Sequence, residues 1–162
     1  MTSTDHHVRL RRAVLDDAAA LTSLNEHVQR LHVDAALDHF AAVDPAAAQA
    51  FFTAQLAEDS TIVWIAELDG RAVGYLYAVR AHRAANPFTT EQHTLYIHHL
   101  AVDPAVRRRG VGSAMFTAAA EHARVTGLAG LRLDSWLFNE AAHAFFLSQG
   151  FEPVLTHFAR GI

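Results

Sequence analysis

The chain has no cysteine, which excludes a disulfide framework, a thiol nucleophile, a Cys-based zinc site and an iron–sulfur cluster. It also lacks an excess of positive charge. Thirteen basic residues stand against seventeen acidic ones, a formal net charge of −4, so no global field gathers nucleic acid or an anionic membrane. Any bound anion has to be held by local geometry. No apolar run approaches the roughly 18 to 20 residues that span a bilayer, and residues 1–7 are polar, without the apolar core of a signal sequence. The expectation is a cytoplasmic location. Internal repeats are absent, and alanine-rich helical stretches are the nearest approach to low complexity.

What is present suits a globular domain. A hydrophobic fraction of 51% with 19% charged residues supplies the apolar surface that offsets ordering entropy. At 162 residues, one domain spanning 1–162 is the expectation.

Residues 8–14 read as a short strand, followed by Asp16 or Asp17 as a helix cap. Leu21, Leu24, Val28 and Leu31 then recur at three- and four-residue spacing on one helical face. Asp44-Pro45 starts a second helix ending near Asp59. Residues 60–68 and 71–80 are β-rich, and Asp69-Gly70 between them is the favoured type I′ hairpin turn. After a loop over 83–91, a strand is expected over 92–102, a helix over 107–126 closed by Gly127, and a strand over 131–136. A helix capped by Asn139 stops at Gly150, and residues 151–160 read as a final strand or strand pair. This order predicts an α/β (α+β) layer with a central sheet.

The chemistry concentrates in residues 100–114, Leu-Ala-Val-Asp-Pro-Ala-Val-Arg-Arg-Arg-Gly-Val-Gly-Ser-Ala. A strand runs into a basic, glycine-containing turn and a helix start. Unpaired N–H groups and the partial positive charge of a helix N-terminus favour an anion there, glycine permits its close approach, and Arg107, Arg108 and Arg109 add charge. Two other phosphate cradles are excluded. No Lys follows Gly112 as a P-loop requires, and Met115 stands where a dinucleotide motif has its third glycine. On its own, Gly110-x-Gly112 fits an ordinary helix start with a solvated basic turn as well as it fits an anion site.

Arg107-x-x-Gly110-x-Gly112 resembles the pyrophosphate-binding signature of the GNAT superfamily of acyl-CoA-dependent N-acyltransferases. Residues 97–102 with Asp103-Pro104 resemble the strand before that signature, and Asn139-x-x-Ala142-x-x-Phe145-Phe146 with Gly150-Phe151 resembles the family's later helix and its ending. The resemblance implies a GNAT-like mixed, mostly antiparallel sheet of six to seven strands flanked by about four helices. It implies acetyl-CoA as cosubstrate and a primary amine, of a small molecule or peptide, as acceptor. The main chain of Arg108, Arg109, Gly110, Val111, Gly112, Ser113 and Ala114, with the Arg107 side chain, would hold the pyrophosphate. Leu100, Ala101 and Val102 would lie along the pantetheine arm as if it were another strand, beside a splay in the sheet, and Asn139, Ala142 and Phe146 would flank it. An asparagine at 139 also suits a helix cap, and the two roles are compatible. Dimers occur in the family, but nothing in the sequence marks an interface.

Direct attack of a neutral amine on the thioester passes through an oxyanion, which the N–H of Val102 would stabilise. An alkyl amine with a pKa near about 10 is mostly protonated at neutral pH, so a base is needed. His98 is the first candidate. Strand alternation puts it on the face of Leu100, with His99 opposite, and a structural histidine is the competing reading for His98. Glu26, His27 and His32 are further candidates for the base. Phe146 departs from the family pattern: it stands where a tyrosine often protonates the leaving thiolate, and it has no hydroxyl. That leaves open a non-catalytic acyl-CoA-binding or sensing module.

Twelve histidines raise the question of a metal. Adjacent strand residues such as His98 and His99 face opposite ways, and no His-Glu-x-x-His helix exists; no metal is expected. Trp64, Trp136, Tyr75, Tyr77 and Tyr96 are expected to fill the core from strands, with an acceptor-pocket role as the alternative for Trp136. The acceptor loops are expected over 31–44 and 83–91. Asp34, Asp38 and Asp44 in the first suit a cationic acceptor.

Overall fold

A computed structural model describes residues 8–36 and 38–161. Five strands, β1 (Arg9–Arg12), β2 (Thr61–Leu68), β3 (Arg71–Arg83), β4 (Gln92–Val102) and β5 (Leu131–Leu133), form one sheet in chain order. The first four pair antiparallel and β5 runs parallel to β4. Four helices flank it: α1 (Ala18–Ala35), α2 (Pro45–Leu56), α3 (Val111–Val125) and α4 (Glu140–Ser148). Among the described residues, no helix is long and apolar enough to cross a membrane.

The central strands are buried on both faces, so their apolar runs are continuous and alternate between two cores. Ile65, Tyr75 and Tyr77 pack with Leu21 of α1 and Phe52 of α2. Trp64, Leu76, Leu95 and Ile97 pack on the other face with Val111, Met115, Phe116 and Ala119 of α3. The β2–β3 turn has positive φ at Asp69 (51°) and Gly70 (76°), the pairing a type I′ turn requires. Asp44 caps α2 by accepting the Ala46 N–H at 3.0 Å, with Pro45 in the first helical position.

Several expectations are corrected. The sheet has five strands among the described residues instead of six to seven, because residues 151–161 carry no regular secondary structure. Phe151 packs onto the α3 core, but Val154, Leu155 and Phe158 are exposed and meet no sheet edge to pair with. The strand expected over 131–136 pairs only as far as Leu133. The helix expected from Arg107 starts at Val111, since Arg108 (φ 63°) and Gly110 (φ 79°) adopt left-handed backbone that a helix cannot contain. Asp17 does not cap α1; its carboxylate reaches back to the Val14 N–H at 2.8 Å and to Arg11. The polar segment 1–7 lies outside the described residues.

Candidate active site

The sheet opens where β5 stops. β5 pairs with β4 only through Leu95, Ile97 and the residue between them, so β4 beyond Ile97 has one strand neighbour. The Asp103 N–H donates to the Val73 carbonyl at 2.8 Å, which fixes the alternation of the β3–β4 ladder. With Gly74 opposite Val102 and Leu76 opposite Leu100, both of those β4 residues fall at pairs whose main-chain groups point away from β3. Leu100 and Val102 therefore present N–H and C=O to the open side. Ala101 does not: it pairs with Tyr75, and its side chain is buried against α1 and α2. The sequence expectation for Ala101 is corrected on that ground.

The turn after β4 is built by local hydrogen bonds. Asp103 Oδ1 accepts the Ala105 N–H (2.9 Å), Oδ2 accepts from Arg71 Nη1 (2.9 Å), and these two contacts hold its carboxyl below the usual range. Arg107 Nε donates to the Val102 carbonyl at 3.4 Å, folding the guanidinium back toward the strand end. Positive φ at Arg108 and Gly110 turns successive N–H groups to one side. Among the described residues, the N–H groups of Arg108 to Ser113 meet no protein acceptor, whereas Ala114 donates to the Gly110 carbonyl at 2.9 Å. The free set ends at Ser113, one residue short of the expected range, because hydrogen bonding into the helix begins at Ala114.

Gly112 has a packing role besides the expected one. A Cβ there would stand 2.9 Å from Cζ of Phe145, so its bareness serves the packing of α3 on α4. Gly110 has nothing within 4 Å of a built Cβ and is needed for its φ. Asn139 Oδ1 accepts the Ala142 N–H at 3.4 Å and caps α4. Phe146 lies in an aromatic cluster with Phe116, Phe145 and Phe151.

A bulge in β4 rearranges the histidines. Tyr77 pairs with His99 and Ala78 with Ile97, so His98 is an extra residue. His98 stacks on the Tyr77 ring at 5.1 Å and His99 meets the same ring edge-on at 5.2 Å. Both thus lie on the α1–α2 face, while Leu100 packs on the α3 face with Ile97. This overturns the alternation that placed His98 with Leu100 and opposite His99. His98 is exposed, and partial desolvation lowers its pKa against the opposing pull of Asp134. His99 is lowered to about 4, first by burial and then by the charges of His98 and His32. Asn25 donates to the Tyr75 hydroxyl (2.7 Å), which lies 3.1 Å from His99 Nδ1, completing a partly buried chain when Tyr75 donates to the imidazole.

Asp134 and Tyr96 join this region unforeseen. Asp134 follows β5 where Leu133 pairs with Ile97; it acts on Tyr96, whose pKa is pushed up to about 12 by burial and then by that carboxylate. Only the parallel register of β5 brings residue 134 beside His98. Trp136 is exposed, contrary to the core expectation, and joins His39, Phe40 and Phe138 in an aromatic patch that His32 also touches. Glu26 and His27 line two separate surface clefts along α1, neither of which includes residues 98–102 or 107–114.

The sequence model of the Acetyltransferase (GNAT) family matches residues 21–151. The uncharacterized N-acetyltransferase YhfO of Bacillus subtilis (strain 168) is 25% identical over 146 residues, 90% of each chain. A tetramutant of the BH1408 protein from Bacillus halodurans superposes with a TM-score of 0.89 at 24% identity, covering 95% of this chain and 99% of the other. The aminoglycoside N-acetyltransferase AAC(6')-Iy, solved in complex with CoA, has a TM-score of 0.79 at 20% identity over 99% of both chains. At these identities the two solved structures establish a shared fold.

Proposed function

Because the chain belongs to the GNAT acetyltransferase family, we propose that this acyltransferase carries an acetyl group from acetyl-CoA to a primary amine by direct attack, with residues 1–162 acting as one catalytic domain. The observation that carries this reading is the open edge of β4 at Leu100 and Val102, running directly into a turn of free N–H groups from Arg108 to Ser113. An extended amide-bearing arm adds to such an edge as a strand would, and a pyrophosphate suits the turn.

In this mechanism the Val102 N–H stabilises the oxyanion of the tetrahedral intermediate. His98 is the base. It is exposed beside the splay, and its lowered pKa keeps it neutral at pH 7, ready to take the ammonium proton directly or through one water. His99, half-buried and within hydrogen-bond distance of the Tyr75 hydroxyl, is structural. The thiolate of CoA leaves with a proton from water or from the attacking nitrogen, which becomes positively charged on attack and must shed a proton to end as the amide, since the Phe146 ring offers none. The reaction requires no metal. A cationic acceptor is supported by exposed Asp34 and Asp38, in the segment that also carries Phe40 of the Phe40–Trp136–Phe138 aromatics, because ammonium groups favour both carboxylates and ring faces.

The experiment is calorimetric titration of acetyl-CoA, followed by thiol detection of CoA release against a panel of mono- and polyamines that includes an aminoglycoside. Binding with amine-dependent release supports the proposal. Binding without release to any amine leaves an acyl-CoA-binding module, and absence of binding removes the donor assignment.

A further inference from the structure

At the end of the β3–β4 hairpin, away from the β4 edge, His82 of β3 and His93 of β4 are directly paired in register. Their rings stack with centroids 4.3 Å apart and planes 6° from parallel. Both aim Nε2 at one oxygen of Glu91: His82 Nε2 lies 2.8 Å and His93 Nε2 3.2 Å from Glu91 Oε1. Among the described residues this is the one group of three or more His, Asp or Glu side chains whose ligand atoms all fall within 4.8 Å of one another. We propose that His82, Glu91 and His93 form a surface site for a divalent transition metal of the zinc type, clamping the base of the 84–91 loop.

The donor set and its spacing carry the inference. Two imidazoles and a carboxylate are ligands that zinc and nickel share, and three protein ligands leave a position for water. Bonds of about 2.0–2.2 Å in a tetrahedron put neighbouring ligand atoms roughly 3.3–3.5 Å apart. The two nitrogen-to-carboxylate distances are already close to that edge, and small rotations of exposed side chains open room for the ion. Paired strands hold the two imidazoles at a fixed separation, so little ordering remains to be done on binding. This departs from the sequence expectation of no metal, which weighed helical and adjacent histidines and had no register with which to set residue 82 against residue 93.

The site stands apart from acyl transfer, and its test is independent of it. The chelator-treated full chain is titrated calorimetrically with Zn²⁺, Ni²⁺ and Mg²⁺. Wild type is expected to bind one equivalent of Zn²⁺ with Kd of order 10 μM or tighter, to bind Ni²⁺, and to ignore Mg²⁺, which wants an oxygen shell. His82→Ala and His93→Ala should each weaken Zn²⁺ binding at least about tenfold, and Glu91→Gln, close in size, should weaken it without disturbing the hairpin. A rise in Tm with Zn²⁺ in wild type that disappears in His93→Ala is the second readout. The double variant His6→Ala/His7→Ala controls for a second adjacent pair of histidines in the sequence, at positions 6 and 7, and should keep the site. The proposal is overturned if wild type takes up no Zn²⁺ at 100 μM, about ten times that Kd, if binding survives His82→Ala and His93→Ala together, or if it is lost only with His6 and His7.

Discussion

The ring of Phe145 occupies the space that a side chain at Gly112 would need, with Cζ 2.9 Å from the position of a Cβ. The absence of a side chain at the second glycine of the basic turn therefore serves packing. The first, Gly110, is conformational. This contrast separates two glycines that look equivalent in the sequence.

Gly112→Ala should destabilise the protein by about 1–3 kcal/mol through overpacking. Adding Phe145→Leu should restore part of that loss, since contacting residues couple. Gly110→Ala should cost about 1–2 kcal/mol from backbone strain with no such rescue, and should weaken acetyl-CoA binding by distorting the free N–H groups. Denaturant melts of the four variants check this, and equal rescue of both glycine changes would contradict it.

Arg107→Ala should weaken acetyl-CoA roughly 10- to 100-fold, the range of one charge-assisted hydrogen bond to phosphate. The salt dependence of binding should flatten at the same time, as measured by titration at two ionic strengths. An unchanged affinity would mean that Arg107 serves only its contact with the Val102 carbonyl.

His98→Ala should lower kcat/KM for the amine by about 10²–10⁴, with acetyl-CoA affinity retained. In wild type the acidic limb of the rate profile should lie below pH 6.5, the ordinary histidine value, because desolvation lowers the pKa of His98. Asp134 favours its protonated form, so Asp134→Asn should move that limb further to acid. A limb that does not move in Asp134→Asn would point to another base.

His99 supplies a pH dependence of stability. Its pKa falls from 6.5 to about 4 on folding, so between these values the unfolded chain binds a proton that the native chain does not. Stability is then lost as pH drops from about 6.5 toward 4, by at most roughly 3 kcal/mol. Chemical denaturation of wild type and His99→Asn at pH 7 and 4.5 should show a larger loss in wild type. Parallel losses in the two proteins would remove the assignment.

Much was legible in the sequence because it rests on local rules. Asp69-Gly70 specifies its turn, Asp44-Pro45 and Asn139 start their helices, and the 92–102 strand was delimited by flanking loop signals; each depends on neighbouring residues alone. The place of the basic, glycine-containing turn between β4 and α3 was legible for the same reason. Residues 151–160 were misread because a strand exists only if an edge is there to pair with it, and β5 is three residues long.

By itself, then, the sequence determined the order of elements, the basic turn after β4 and the family, since local propensity and motif spacing need no partner. Tertiary structure alone decided which way the site faces. One extra residue, His98, shifts the phase of β4 and puts both histidines against Tyr77; the parallel register of β5 brings Asp134 beside them, and Phe145 claims the space at Gly112. Each of these depends on which strand or helix lies opposite, a quantity set by long-range packing that no window of sequence contains.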